Sequence, residues 1–280
     1  MCNKPITAYV LGTKENGKLD LTFSKPTRCE KVIEVPCGRC IACRLEKTRV
    51  WGLRAEHEAK FHNENCFITL TYDPKHLPPS LEKEPLQKFF KRLRKRIHPI
   101  KIKYIASGEL GDNYDNPHYH LCVFGYIPDD CEHLYEKNDA KYYVSNTISK
   151  LWPFGFHTIT ALNFQTARYT AKYAIKKELG KKEKTRPAEF FVCSQGIGQT
   201  HVDNYAKGMA EKGSTYANGH SCALPRYYKE KIKLTEYNVT LCNKLDEIQK
   251  QCNNKYHHQK RTLKDNQNRE IIQTAKLNKF

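Results

Sequence analysis

Ile100-Lys101-Ile102-Lys103-Tyr104-Ile105-Ala106-Ser107 and His118-Tyr119-His120-Leu121-Cys122-Val123-Phe124-Gly125 read as the two arms of a β-hairpin. In the first arm Ile102, Tyr104 and Ala106 fall in phase, with the period of two that strand side chains follow. The second is apolar on both faces through Leu121-Cys122-Val123-Phe124, as in a strand at the middle of a sheet. Between them lie Gly108-Glu109-Leu110-Gly111 and a polar loop from Asp112 to Pro117. This hairpin carries Glu109, just past the first strand, toward His118 and His120 at the start of the second. The two histidines share a face. Two imidazoles and a carboxylate with coordination positions left open suit a catalytic divalent cation. Taken alone, a His-X-His pair is more often a surface pair or a satisfied polar pair.

Outward from the hairpin, Cys66-Phe67-Ile68-Thr69-Leu70-Thr71-Tyr72 is rich in β-formers and stops at Asp73-Pro74, which predicts a strand and a turn. Leu86, Phe89, Phe90, Leu93 and Ile97 recur at helical spacing, with Pro85 in the first turn and Pro99 ending the run. The other face carries Lys88, Lys91, Arg92, Arg94, Lys95 and Arg96. Such a charge run is ordinarily a solvated face, and it also suits a phosphate backbone. An earlier helix is expected from about Ile41 to His62. Tyr142-Tyr143-Val144 and Ile148 to Trp152 read as a short helix, and Gly155 to Leu162 as a strand. Asn163 then caps a helix running to Leu179, with Gly180 as its stop.

On that last helix Tyr169 and Tyr173 stand four residues apart and so share a face, with Lys172, Lys176 and Lys177 near them. Cations beside a phenol favour the phenolate, the nucleophilic form. Paired tyrosines at this spacing are otherwise an ordinary half-buried helix face.

These elements predict an α+β fold: a central antiparallel sheet of about five strands with helices packed on it. Residues 1–62 form a cysteine-containing N-terminal segment with a helix, 63–185 the core, 186–240 its extension and 241–280 a basic, polar C-terminal tail. The chain has 280 residues and a formal net charge of +18, from 48 Lys+Arg against 30 Asp+Glu. That excess, with 17 Tyr and 12 Phe available for stacking, points to nucleic acid as partner. There is no apolar run of membrane-span length and no signal-peptide core, so a membrane partner is not expected and a cytoplasmic location is.

Cys37, Cys40 and Cys43 form C-x2-C-x2-C, a spacing that marks metal ligation. A closed tetrahedral zinc site needs a fourth ligand. Cys29 is the nearest upstream residue, and His57 and Cys66 are alternatives. Arg44-Leu45 follows the triplet where a ferredoxin-type run would continue with cysteine and proline, which argues against an iron–sulfur cluster. Small residues at a helix start are the plainer account.

Phe67–Tyr72, then His118-Tyr119-His120, then Tyr169-x-x-x-Tyr173 with Lys172 between them resemble the three ordered motifs of HUH endonucleases that start rolling-circle replication. Pro36-Cys37-Gly38-Arg39-Cys40-Ile41-Ala42-Cys43-Arg44, Ala106–Gly111, Pro117–His120, Gly196-Ile197-Gly198 and Leu224-Pro225-Arg226-Tyr227-Tyr228 resemble the replication initiator of gokushovirus-type microviruses. The resemblance spans roughly residues 29–230. It implies the HUH endonuclease fold, His118, His120 and Glu109 as ligands of Mg²⁺ or Mn²⁺, and Tyr169 and Tyr173 as nucleophiles assisted by Lys172 or Lys176. It further implies origin and single-stranded DNA as substrates, a host DNA polymerase and helicase as partners, and the host bacterial cytoplasm as the setting. The competing class is a zinc-containing nucleic-acid-binding protein without catalysis. A redox enzyme built on the cysteine triplet lacks a cofactor loop.

Overall fold

The structure is a computed structural model that describes residues 2–15, 19–111, 116–176, 189–256 and 263–277; side chains at 172–176, 249–250, 252–256, 263–264 and 275–277 lie outside the description. The chain divides into two compact units, residues 1–47 with 258–280, and residues 48–257.

The first unit holds β1 (Ile6–Thr13), β2 (Leu19–Thr22) and β3 (Lys31–Val35), paired antiparallel in the order β2-β1-β3. Helix α1 (Ile41–Ala59) starts in this unit and gives its residues from Thr48 onward to the second.

The second unit is built on an antiparallel sheet of seven strands in the order β10-β5-β6-β4-β9-β8-β7. These are β4 (Asn65–Tyr72), β5 (Lys103–Leu110), β6 (Pro117–Phe124), β7 (Cys131–Lys137), β8 (Ala140–Ser145), β9 (Gly155–Ala161) and β10 (Phe190–Cys193). The class expected from sequence is therefore found, with more strands than expected. Central β6 lies between β4 and β5, which accounts for its burial on both faces.

Alternation sends β-strand neighbours to opposite sides and so sorts this sheet into two surfaces. On one, Ile68, Leu70, Tyr119, Leu121 and Val123 pack with α2 (Glu84–Arg96) and α3 (Asn146–Leu151). Helix α2 buries Leu86, Phe89, Phe90 and Leu93, the positions its periodicity selected. Each such burial stabilises by about 1.5–3 kcal/mol. Of its basic face, Arg92 turns inward and donates two hydrogen bonds to the Leu151 carbonyl, at 3.1 and 2.8 Å, while Lys88, Lys91 and Lys95 remain exposed.

The opposite surface, bearing Phe67, Ile105, Cys122 and Phe124, packs with Ala55 of α1 and Ala167 of α4 (Phe164–Lys176). Helix α4 begins as its cap predicted: the Thr166 N–H donates to Asn163 Oδ1 at 2.9 Å, and the Asn163 N–H donates to Thr166 Oγ1 at 2.9 Å. Its expected end near Leu179 lies outside the described residues. Small Ala167, Thr170 and Ala171 are buried and let α4 settle close to the sheet. Gly52 of α1 does the same from the other side, since a Cβ there would stand 2.5 Å from Arg168 Cγ.

Beyond the sheet, α5 (Gln199–Lys212), the hairpin β11 (Ser214–Ala217) and β12 (His220–Ala223), α6 (Arg226–Ile232) and α7 (Asn238–Tyr256) enclose a second core around Leu53, Val202, Met209, Tyr228 and Leu241. Two local expectations are corrected. Tyr142–Val144 is strand β8, not helix; its β-branched and aromatic side chains pair across to β7. The last forty residues are not one polar tail: α7 belongs to the second unit through buried Leu241, and α8 (Leu263–Leu277) to the first. In the first unit α8 is tied to the N-terminal residues by Asn3 Nδ2 donating to Gln273 Oε1 at 2.9 Å and a Lys4–Glu270 ion pair at 3.1 Å. Among the described residues no helix is long and apolar enough to cross a membrane.

Candidate active site

Strand β5 runs on to Leu110, so Glu109 lies inside the strand and not just past it. Its Cα is directly opposite His118, and Ser107 is opposite His120. On the other flank of β6, Thr69 is opposite His120 and Thr71 opposite His118. Residues opposed in an antiparallel ladder share a face, as do alternate residues along a strand. Glu109, His118, His120, Ser107, Thr69 and Thr71 therefore all look toward the surface that α4 covers in part.

Glu109 and His120 are buried and in direct contact, with Oε1 2.5 Å from Nε2. The other imidazole nitrogen, Nδ1, lies 3.2 Å from Thr69 Oγ1. A hydroxyl can donate or accept, so Thr69 can serve either neutral tautomer of His120. Phe67 stacks beside the ring, at 5.8 Å between centroids and 11° between planes.

His118 stands farther from the pair. Among the described residues the trio is not one in which every ligand atom lies within 4.8 Å of the others; only a cysteine group meets that measure. Burial lowers the pKa of His118, His120 lowers it further, and Glu109 opposes the shift. The neutral imidazole, the form that ligates metals, is thus favoured. Its Nδ1 is buried and has no hydrogen-bond partner among the described residues; nor has Ser107 Oγ on the same face. Two orphaned polar atoms beside a paired carboxylate and imidazole fit a site that accepts a cation and its water, since buried polar groups otherwise find partners.

Tyr169 reaches this site from α4. Its ring meets that of His120 edge-on, 5.0 Å between centroids and 84° between planes. It is held there by the buried turn beside it, where Thr170 Oγ1 lies 3.4 Å from Cys122 Sγ on β6. Cys122 follows His120 by two, so helix, tyrosine and histidine share one anchoring strand. Lys172, Tyr173 and Lys176 are in the same helix, and their side chains lie outside the described residues. Sequence reasoning assigned no role to Thr69 or Ser107. Both lie in motifs that were recognised, but only strand register shows that they face the histidines.

The cysteines gather in the first unit with one change. Cys37, Cys40 and Cys43 are joined by Cys2, and all four Sγ atoms lie within 4.8 Å of one another. Cys29, the expected fourth member, is exposed and stands outside the group. The reason is the pairing of β1 with β3: Ile6 opposite Val35 brings the residues before the one beside those after the other. The alternatives are engaged elsewhere. His57 bonds the Tyr228 hydroxyl at 2.9 Å and the Tyr216 carbonyl at 2.7 Å, and the Cys66 thiol donates to the Tyr126 carbonyl.

A seven-stranded antiparallel sheet that presents a histidine pair and a carboxylate to a tyrosine on a neighbouring helix is the arrangement the family resemblance implied. Residues 65–178, which hold all of these groups, match the family model of the replication-associated protein ORF2, and this segment belongs to that family. The chain is 42% identical over 160 residues to the replication-associated protein ORF2 of Spiroplasma virus 4, covering 53% of this chain and 50% of that one. It is 29% identical over 245 residues to the replication-associated protein VP4 of Bdellovibrio phage phiMH2K, covering 83% and 77%. With the replication-associated protein ORF4 of Chlamydia phage 1 the identity is 29% over 213 residues, covering 71% and 53%. The match thus spans about half the length of the Spiroplasma and Chlamydia phage proteins. No solved structure is significantly similar to the chain.

Proposed function

We propose that this protein acts in viral DNA replication as an initiator that cuts one DNA strand at an origin and later rejoins it. The observation that carries the reading is the contact of Tyr169 with His120, itself bonded to Glu109. Tyrosine oxygen attacks the scissile phosphorus, a phosphotyrosine bond forms, the P–O3′ bond breaks, and the departing 3′ oxygen takes up a proton. The strand keeps its 5′ phosphate on the protein and offers its 3′-hydroxyl to a host polymerase. Attack by a 3′-hydroxyl on the phosphotyrosine reverses the step and closes a circle without ATP. Tyr173 is the second nucleophile, cutting the regenerated origin while Tyr169 is occupied, or the reverse; Lys172 and Lys176 favour the phenolate.

His118, His120 and Glu109 would hold Mg²⁺ or Mn²⁺, which when bound polarises the phosphate and offsets charge at phosphorus. Imidazole ligation favours Mn²⁺ and availability favours Mg²⁺. Glu109 and Thr69 orient His120 whether or not the ion is present. The phage relatives support a replication role for the chain, with host polymerase and helicase as partners in the bacterial cytoplasm.

The test incubates labelled single-stranded viral-origin DNA with Mn²⁺ and wild-type, Tyr169→Phe, Tyr173→Phe or doubly substituted protein. Each single variant should retain a covalent 5′ adduct and fail in joining; the double variant should form none. An adduct with the double variant overturns the reading. Loss of cutting in EDTA with DNA binding retained separates it from a DNA-binding protein without catalysis.

A further inference from the structure

We propose that Cys2, Cys37, Cys40 and Cys43 form a tetrahedral zinc site that locks the first unit, independent of the nucleotidyl-transfer chemistry above. Four thiols converge although the residues come from two ends of a small sheet. Cys2 Sγ lies 3.5 Å from Cys37 Sγ and 3.6 Å from Cys40 Sγ. Zinc–thiolate bonds of about 2.3 Å place the sulfurs of a regular tetrahedron about 3.8 Å apart. The gathered sulfurs therefore need almost no rearrangement to enclose one ion. A four-iron cluster would spread its thiolates around a cube and hold them much farther apart.

Their surroundings are those of thiolates. The Asn3 N–H donates to Cys40 Sγ, the Cys37 N–H to Cys2 Sγ and the Cys40 N–H to Cys37 Sγ, each at 3.3 Å. Backbone donors aimed at sulfur offset the charge of four thiolates around one divalent cation. Cys43 sits in the first turn of α1, three residues from Cys40 and on the same side. Unpaired N–H groups at that helix end also favour negative sulfur. On binding, each thiol gives its proton to solvent.

The unit needs such a clasp. Its buried apolar side chains among the described residues are Ala8, Val10, Cys40, Ile41 and Ala42, while Ile6, Leu11, Leu19, Leu21 and Val32 are exposed. A three-stranded sheet with so small a core is marginal unless a metal or other cross-link supports it. Zinc would tie Cys2, ahead of β1, to the turn after β3 and to the start of α1, closing both open ends of the sheet at once.

The test measures metal in full-length protein purified under reducing conditions. Wild type and Cys29→Ala should each carry about one equivalent of zinc, and Cys2→Ala under about a tenth. Replacement by Co²⁺ should give the intense thiolate charge-transfer and visible bands of a tetrahedral four-sulfur site. Less than a tenth of an equivalent in wild type, iron with labile sulfide, or equal zinc in Cys2→Ala and wild type would each overturn the proposal. Should Cys2→Ala fail to fold, the wild-type stoichiometry and cobalt spectrum decide the matter by themselves.

Discussion

Replacing Thr69 by valine tests the support of His120 without touching a proposed ligand. Valine keeps the β-branched shape that β4 accepts and removes only the hydroxyl 3.2 Å from Nδ1. When His120 ligates through Nε2, its proton must sit on Nδ1, and in the variant that N–H faces a methyl group. A neutral hydrogen bond of this kind contributes about 0.5–1.5 kcal/mol, and leaving its partner unsatisfied costs about 1–3 kcal/mol. Removing an outer-shell partner of a metal-bound histidine typically weakens binding about 10–100-fold. The expected result is an Mn²⁺ dissociation constant raised by that factor, read from the loss of the free-ion paramagnetic resonance signal on titration. Cutting should recover when Mn²⁺ is raised correspondingly. Unchanged Mn²⁺ affinity in Thr69→Val, alongside abolished binding in His120→Ala, would refute the assigned role of the hydroxyl.

Three further outcomes follow from packing and protonation. His201 stacks on His57 at 3.6 Å between centroids, and burial first, then His57 and Lys60, push its pKa down to about 3 from 6.5. The unfolded chain therefore binds more protons between those values, so stability should fall as pH drops below 6.5, and the urea midpoint of His201→Phe should depend less on pH there. Ala171→Leu inserts bulk where α4 meets the sheet and should cost about 1–3 kcal/mol in chemical denaturation. The same variant should impair DNA cutting by moving Tyr169 away from His120, and full cutting would argue against that coupling. Leu93→Ala empties a fully buried position under α2 and should cost about 2–5 kcal/mol in a denaturant titration, with Mn²⁺ affinity unchanged in the folded fraction.

The order of motifs along the chain was enough to recover the hairpin, helix α2, the capped start of α4 and the residues Glu109, His118, His120 and Tyr169. Each is a local matter: alternation, helical spacing or a cap speaks through neighbouring residues. Composition misled where the signal was not local. Tyr142–Val144 has the look of either element, and its pairing with β7 selects strand. The final forty residues look uniformly polar, yet Leu241 on α7 is buried in the core formed with α5 and α6.

By itself the sequence determined which side chains have the chemistry, because imidazole, carboxylate, phenol and thiol are properties of residues and their close spacing. Tertiary structure alone decided who meets whom. Register set Glu109 opposite His118 and put Ser107 and Thr69 beside His120. The approach of small residues on α4 brought Tyr169 to the histidine. Pairing of β1 with β3 chose Cys2 over the nearer Cys29. A strand ladder joins positions far apart in the chain, and proximity along the sequence carries no information about such a partner.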